Sequence, residues 1–181
     1  HQKLLHGLPN AKIKDSERLV NWVRLVKSNE EIKFMKIAAE ITQLGMKKAF
    51  EVINPGVRQC DAVAKIYSTL ISGTKDHGGD YSSIVPLLPT GKGTSASHLT
   101  WSDDKFVDGE ASIIEISGAY KKYHCPMART VLLGKPDQKK IDTMKKTREA
   151  LEAGIDATKP GNTADDVAPV SYTHLRAHET V

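Results

Sequence analysis

The sequence PGVRQCDAVA at residues 55–64 returns as PGNTADDVA at residues 160–168. Each copy follows a segment whose apolar residues repeat at helical spacing, and each leads into another apolar segment. Helix, Pro-Gly, short polar stretch and second helix therefore recur in the same order. This recurrence predicts two related half-units, which a pseudo-two-fold α+β domain would produce.

The segment before the first copy begins with a capping box and carries one apolar stripe. Ser28 and Glu31 can satisfy free backbone N–H groups at its start, and Asn54 ends the helix that follows. We expect its buried stripe to consist of Ile32, Met35, Ala39, Thr42, Met46, Ala49, Phe50 and Ile53.

Shorter segments on both sides of this helix have clear helix or strand character. Asp15 and Ser16 can cap a short helix that ends near Lys27. Further helices are predicted over 61–71 and 137–159, the latter with Ile141, Met144, Ala150, Leu151 and Ile155 on one side. Runs rich in Ile, Val and Leu predict strands over 83–88, 112–117 and 129–133. The intervening residues 118–128 are long for a hairpin loop and can include a bulge or strand ends.

The composition is that of an ordinary globular protein. Hydrophobic residues make up 39% and charged residues 27% of the 181 residues. The net charge is +4, and the sequence contains no block of like charges. A nucleic-acid partner is therefore not expected. Nor is a membrane partner, because no apolar run is long enough for a span or a signal peptide. Two cysteines without CxxC spacing favour the cytoplasm.

Both ends of the chain differ in character from its middle. We interpret residues 1–14 as the end of an upstream domain with its linker, and residues 15–170 as a partial catalytic domain. Pro169 is expected to interrupt the last helix. Residues 171–181 share no periodicity with the preceding segment and resemble a translated sequencing adapter, so we expect an artefactual tail.

Several short motifs occur in a characteristic order. They are Val23-Arg24, Lys27-Ser28, Ile53-Asn54-Pro55-Gly56-Val57, Ser97-His98-Leu99-Thr100-Trp101, Gly109-Glu110 and Arg129-Thr130-Val131. Their order and spacing resemble the pita-bread catalytic domain of the creatinase, prolidase and aminopeptidase P superfamily. Within it, residues 87–91, 98–101, 115–118 and 123–126 are most similar to the ectoine hydrolases. The resemblance covers residues 12–168 and implies an incomplete pita-bread fold, with the first half-unit and the start of the second.

The resemblance also bears on metal binding. Two aspartates bridge a pair of divalent ions in the metallopeptidases of this superfamily, and the matching positions here are Glu115 and Pro126. Proline has no side-chain donor, so a hard oxygen ligand of the two-metal clamp is missing. We therefore expect no metal and no other cofactor.

The same resemblance implies which side chains act on a substrate. Glu115 is the candidate for stabilising or attacking a cyclic amidinium, and His98 matches the active-site histidine and is the candidate proton shuttle. A salt bridge between Glu115 and Arg129 is the structural alternative. Trp101, Tyr123 and His124 are candidate substrate-binding residues, although core and hairpin packing explain them equally well.

The implied activity is the metal-free opening of the cyclic amidine ectoine to an N-acetylated diaminobutyrate. The implied partner is thus a small amidinium carboxylate, and we expect a homodimer for the full-length protein. Three alternatives stay open: an Xaa-Pro metallopeptidase, a creatinase-like amidinohydrolase and a non-catalytic binding module. The family's second half-unit supplies further catalytic positions, so we expect these 181 residues alone to be inactive.

Overall fold

A computed structural model describes residues 2–176, with side-chain surroundings for residues 2–170. Helices and strands both occur in this range, which confirms the α+β class. Their order is α1 Gln2–Gly7, α2 Leu19–Leu25, α3 Asn29–Val52, α4 Gln59–Ser72, a 3-10 helix Gly91–Ser95, β1 Ala111–Tyr120, β2 Tyr123–Leu132, α5 Gln138–Ala157 and α6 Ala164–Arg176. No helix among the described residues is long and apolar enough to cross a membrane.

The chain divides into two compact units, each assembled from separate stretches of sequence. The first unit contains His1–Lys48, Lys65–Val85 and Ile116–Met127. The second unit contains Ala49–Ala64, Pro86–Glu115 and Ala128–Val181.

The long helix α3 begins with the predicted capping box. The Ser28 amide donates to Glu31 Oε2 at 2.6 Å, and the Glu31 amide donates to Ser28 Oγ at 3.3 Å. The buried face differs from the prediction, because Ile32 and Phe50 are exposed and Met35 and Ala39 are only half-buried. The buried residues on this helix include Ala38, Ile41, Thr42, Met46 and Ala49, and Ile53 directly after the helix is buried as well.

In the first unit, α3 packs directly on the backbone of β1. A Cβ atom added to Gly118 would lie 2.6 Å from the Ala38 carbonyl oxygen and 2.7 Å from the Thr42 amide nitrogen. Only glycine therefore permits this approach of helix and strand. The Thr42 hydroxyl accepts from the Gly118 amide at 2.8 Å and lies 2.6 Å from the Cys125 carbonyl oxygen. This buried hydroxyl thus joins α3 to both strands of the hairpin.

The two strands form a hairpin with a tighter turn than the sequence predicted. The long connection expected over residues 118–128 belongs almost wholly to β1 and β2. Only Lys121 and Lys122 lie between the strands, and both have positive φ, at 50° and 67°. This combination is typical of a two-residue type I′ turn, whose twist matches that of the strands.

The strand predicted over residues 83–88 is not formed as a regular strand. Isolated bridges join Leu87 to Glu115 and Thr90 to Ser112, so a short segment pairs with the free edge of β1. Pro86 and Pro89 lack backbone N–H groups and limit longer pairing.

In two of the predicted helices, α2 and α5, apolar side chains are exposed in the part of the chain that the structure describes. Helix α2 contains no buried residue, and its N-terminal cap position is Arg18 without a side-chain hydrogen bond, so the capping role predicted for Asp15 and Ser16 is wrong. In α5, Ala150 is buried as predicted, whereas Met144, Leu151 and Ile155 are exposed. Periodicity shows which face of a helix is apolar, but not whether a neighbour covers it.

The two Pro-Gly copies adopt matching local structures in the second unit. Gly56 has φ 86° between α3 and α4, and Gly161 has φ 95° between α5 and α6. In each copy the glycine is the third residue of a four-residue turn, which is closed by the Val57 amide on the Asn54 carbonyl at 3.1 Å and by the Asn162 amide on the Lys159 carbonyl at 3.2 Å. Pro169 was expected to interrupt the last helix, but α6 continues through it to Arg176. Of the proposed tail at 171–181, residues 177–181 and all side chains lie outside the described residues.

Candidate active site

His98 and Glu115, the two candidate catalytic residues, lie together in the second unit. His98 Nε2 and Glu115 Oε2 are 3.6 Å apart. The His98 side chain is 72% exposed and that of Glu115 is 32% exposed. The pair is therefore open to a ligand, and its separation exceeds hydrogen-bonding distance, as is common for catalytic groups without substrate.

Glu115 is positioned by its register in β1. Side chains alternate along a strand, and Ile114 and Ile116 are fully buried, so Glu115 points to the opposite, more open face. Leu87 fixes this register with two backbone hydrogen bonds to Glu115, at 2.9 Å and 3.0 Å. The apolar residues on both sides of Glu115 in the sequence therefore bury one face of β1 only, and the carboxylate lies on the other face.

Glu115 is paired with His98 and not with Arg129. The alternative of a salt bridge to Arg129 is contradicted, since the Arg129 guanidinium donates to the Ala128 carbonyl at 2.7 Å, and among the described residues no ion pair joins it to Glu115.

His98 follows the 3-10 helix and has an unusual backbone conformation. Its φ is 60°, in the left-handed region that residues with side chains seldom adopt. The next residue is anchored, because the Leu88 amide donates to the Leu99 carbonyl at 3.0 Å. The turn thus directs an exposed imidazole toward the strand that carries Glu115.

Trp101 lines a cleft of about 700 Å³ in the same unit. Lys92, Leu99, Lys105 and Glu110 also line it, so apolar surface and charges of both signs meet there. The sequence predicted only Trp101 at this site. Two short polar loops adjoin the histidine motif in the sequence: the Gly-rich turn around Lys92 and the segment after Trp101. Because functional residues are frequent in such loops, this pattern could have indicated the other residues of the cleft.

Tyr123 and His124, the other candidate binding residues, belong to the first unit. The Tyr123 hydroxyl donates to Glu31 Oε1 at 2.7 Å. The Ser83 amide donates to His124 Nε2 at 3.0 Å, and His124 Nδ1 lies 3.0 Å from the Lys122 carbonyl oxygen. Since Nε2 accepts, Nδ1 carries the proton. Both ring nitrogens are therefore occupied by backbone groups, and hairpin packing accounts for both residues.

The Tyr123–Glu31 hydrogen bond also changes the acidity of its two partners. The carboxylate of Glu31 raises the pKa of Tyr123 above its usual value. The Ser28 amide first, and then the Tyr123 hydroxyl, hold the pKa of Glu31 below its usual value. This pair belongs to the packing of α3 on the hairpin.

The donors that a metal pair would use are not assembled in this part of the chain. Pro126 has no donor atom at the position where the superfamily's second aspartate would stand. Among the described residues, no group of three or more His, Cys, Asp or Glu side chains is arranged to hold a metal ion. The residues present do not fit a two-metal centre.

Residues 33–180 match the model of metallopeptidase family M24. This match covers most of the chain and agrees with its α+β fold. The chain belongs to family M24.

Three curated relatives illustrate its position within the family. The chain is 43% identical to the ectoine hydrolase of Halomonas elongata over 93% of its own length and 43% of the relative's. It is 40% identical to the uncharacterized hydrolase/peptidase y4tM of Sinorhizobium fredii, over 98% of the chain and 45% of the relative. It is 24% identical to the Xaa-Pro dipeptidase of Pyrococcus furiosus, over 91% of the chain and 46% of the relative. The chain thus spans less than half the length of these relatives.

Solved structures share its fold. The prolidase of Pyrococcus furiosus superposes with a TM-score of 0.84 at 22% identity, covering 98% of this chain and 52% of that one. The prolidase of Thermococcus sibiricus gives a TM-score of 0.88 at 21% identity, covering 98% and 48%. The chain therefore has part of the pita-bread fold, as the resemblance implied.

Proposed function

We propose that the protein is a hydrolase that opens the cyclic amidinium ring of ectoine without a metal pair. The observation that carries this proposal is the approach of His98 Nε2 to Glu115 Oε2, at 3.6 Å on an open face of the second unit. The relative that is 43% identical bears the name ectoine hydrolase, which supports this choice of substrate.

Glu115 and His98 have complementary parts in this reaction. Glu115 stabilises the positive amidinium carbon, because a carboxylate in a partly desolvated site interacts strongly with a cation. Water adds to that carbon, gives a proton to His98 and supplies the oxygen of the new acetyl group. One C–N bond of the ring then breaks, and His98 delivers the proton to the departing nitrogen. In a covalent form of the step, a Glu115 oxygen attacks the carbon and one ring C–N bond breaks, and water then displaces Glu115 from that carbon, which leaves the acetyl group on the other nitrogen.

A dinuclear Xaa-Pro peptidase is the second candidate function. Relatives with 24% identity carry that name, and the solved prolidases share the fold. Pro126 opposes this function, since it replaces an oxygen donor that a metal clamp needs.

The test measures ectoine turnover by the full-length protein with and without chelator. We expect activity to survive chelator, to fall about a thousandfold in Glu115→Gln and about a hundredfold in His98→Ala. The matched control is Glu149→Gln, which alters an exposed glutamate of α5.

Chelator-sensitive cleavage of Xaa-Pro dipeptides together with no ectoine turnover would reject the proposal in favour of the peptidase. Ectoine turnover that Glu115→Gln leaves intact would reject the assigned roles. Mass spectrometry of the protein during turnover separates the covalent form from direct attack by water.

A further inference from the structure

The cleft of the second unit has the size of a small-molecule site. Its volume of about 700 Å³ lies within the range in which proteins hold ligands and cofactors. Its lining includes an aromatic residue and an aliphatic residue, Trp101 and Leu99, together with two basic residues, Lys92 and Lys105. An aromatic wall beside cations suits a compact organic ion.

Both lysines are available to a ligand. Lys92 and Lys105 are exposed. Among residues 2–170, no ion pair within 4.0 Å joins either ammonium group to a carboxylate. Their charges are therefore uncompensated at close range, and a ligand carboxylate can form charge-assisted hydrogen bonds with them.

Acidic residues in the same lining limit the ligand to one with balanced charge. Asp104 is held by the Ser102 hydroxyl, which donates to its Oδ2 at 2.9 Å. Glu110 lies against the backbone of Gly91, because a Cβ atom added there would be 2.5 Å from Glu110 Oε2. The two carboxylates repel a polyanion such as a phosphate ester, and a lining with two acidic and two basic residues favours a zwitterion.

The cleft and the His98–Glu115 pair share their supporting segments. Residues 87–90 pair with β1 through Leu87, which bonds to Glu115, and through Pro89, whose carbonyl accepts from the Ile113 amide at 3.0 Å. Pro89 also lines the cleft. Leu99, another lining residue, directly follows His98 in the sequence. One short segment therefore positions both the carboxylate of Glu115 and a wall of the cleft.

We propose that this cleft receives the carboxylate end of the zwitterionic substrate between Lys92 and Lys105, while the amidinium ring faces the His98–Glu115 pair, whose two residues do not themselves line the cleft. This inference rests on the proposed function for the identity of the substrate. The lysines act as binding and specificity residues: they select an amidinium that carries a carboxylate over one that does not.

The test compares two probes that differ only in this carboxylate: ectoine, and the same methylated tetrahydropyrimidine ring without the carboxylate. Binding of each to the full-length protein is measured by calorimetry. We expect Lys92→Met and Lys105→Met each to raise the Kd for ectoine about tenfold and to leave the Kd of the carboxylate-free ring unchanged. Lys145→Met, at an exposed position of α5, is the matched control and should change neither value.

Three results would overturn the inference: an ectoine Kd that neither lysine variant alters, an equal loss of affinity for both probes, or no saturable ectoine binding by the unaltered protein. Turnover is scored separately. If ectoine binds through the lysines but its ring is never opened, the proposed function fails and the assignment of the cleft stands. If the ring is opened but the lysine variants bind ectoine normally, the assignment of the cleft fails and the proposed function stands.

Discussion

His98 has a strained backbone and an exposed side chain. A left-handed φ of 60° costs a residue with a Cβ atom about 1 kcal/mol relative to glycine. Residues held in such conformations concentrate at functional positions, where the geometry of the side chain is worth the strain. The backbone of His98 is thus an independent reason to consider it functional.

Replacing His98 with glycine or alanine separates the strain from the chemistry. We expect His98→Gly to have a free energy of unfolding about 1 kcal/mol above that of His98→Ala, because glycine accepts positive φ without a steric clash. Both variants should lose ectoine turnover to a similar degree. Urea denaturation of the two proteins under identical conditions gives the comparison. Equal stability of the two variants would contradict the assignment of strain.

The sequence was informative about the individual residues of the site to different degrees. The proximity of His98 and Glu115 follows from their motifs. The open environment of Glu115 does not, because an apolar run indicates a strand without indicating which face is covered. Tyr123 and His124 were predicted to bind substrate because they belong to a short family-like motif. Their hydrogen bonds to Glu31 and Ser83 involve segments distant in sequence, which the motif does not indicate.

At the scale of secondary-structure elements, the turn of the β1–β2 hairpin was not predictable from local sequence patterns. Its turn consists of two lysines at positive φ, where Asn-Gly is the usual sequence. No pattern of turn residues marked it, so a long loop was predicted. Lys122 compensates through its side chain, which lies 3.9 Å from the centre of the Tyr81 ring and 3.4 Å from Asp80 Oδ1.

The two turn lysines should therefore respond differently to glycine. Lys121 is exposed, so we expect Lys121→Gly to raise the free energy of unfolding by up to about 1 kcal/mol by relieving the unfavourable φ. Lys122→Gly should gain less or lose stability, since it also removes the contacts with Tyr81 and Asp80. Thermal and urea unfolding of the two variants measure the difference. A larger gain for Lys122→Gly would show that those contacts contribute nothing.

Helices and turns that are marked by a local sequence motif were predicted well. Features that depend on contacts with residues distant in the sequence were not. The capping box fixed the start of α3, and the glycine of both Pro-Gly turns has positive φ. The segment 83–88 has strand-like composition, yet its pairing depends on the edge of β1 and on two prolines. Burial of α5 likewise depends on its neighbours and not on its periodicity.

At the scale of the whole molecule, four carboxylates link folding to pH. The pKa values of Glu31, Asp80, Asp137 and Asp166 are all lowered, and in each case the largest cause is a backbone amide that donates to the carboxylate. The folded chain therefore prefers their ionised forms. Their contribution to stability is fully present above the pKa values of the unfolded chain and is lost as the pH falls through the lower, folded values.

We accordingly expect the free energy of unfolding to be nearly constant from about pH 5 to about pH 9 and to decrease below that range. Urea denaturation at a series of pH values measures this profile. Glu31→Gln and Asp80→Asn should each flatten the acid limb, whereas Glu149→Gln on the exposed side of α5 should preserve it. An acid limb that is the same in all of these variants would contradict the role of the backbone hydrogen bonds.

The contrasting surroundings of the two tryptophans have a practical consequence. Trp22 is 66% exposed on α2, whereas Trp101 is partly buried in the wall of the cleft. Because these 181 residues contain two tryptophans, Trp22→Phe leaves Trp101 as their single tryptophan. With excitation selective for tryptophan, the emission of that variant would arise beside the cleft, so its spectral shift during a titration offers a label-free optical record of occupancy.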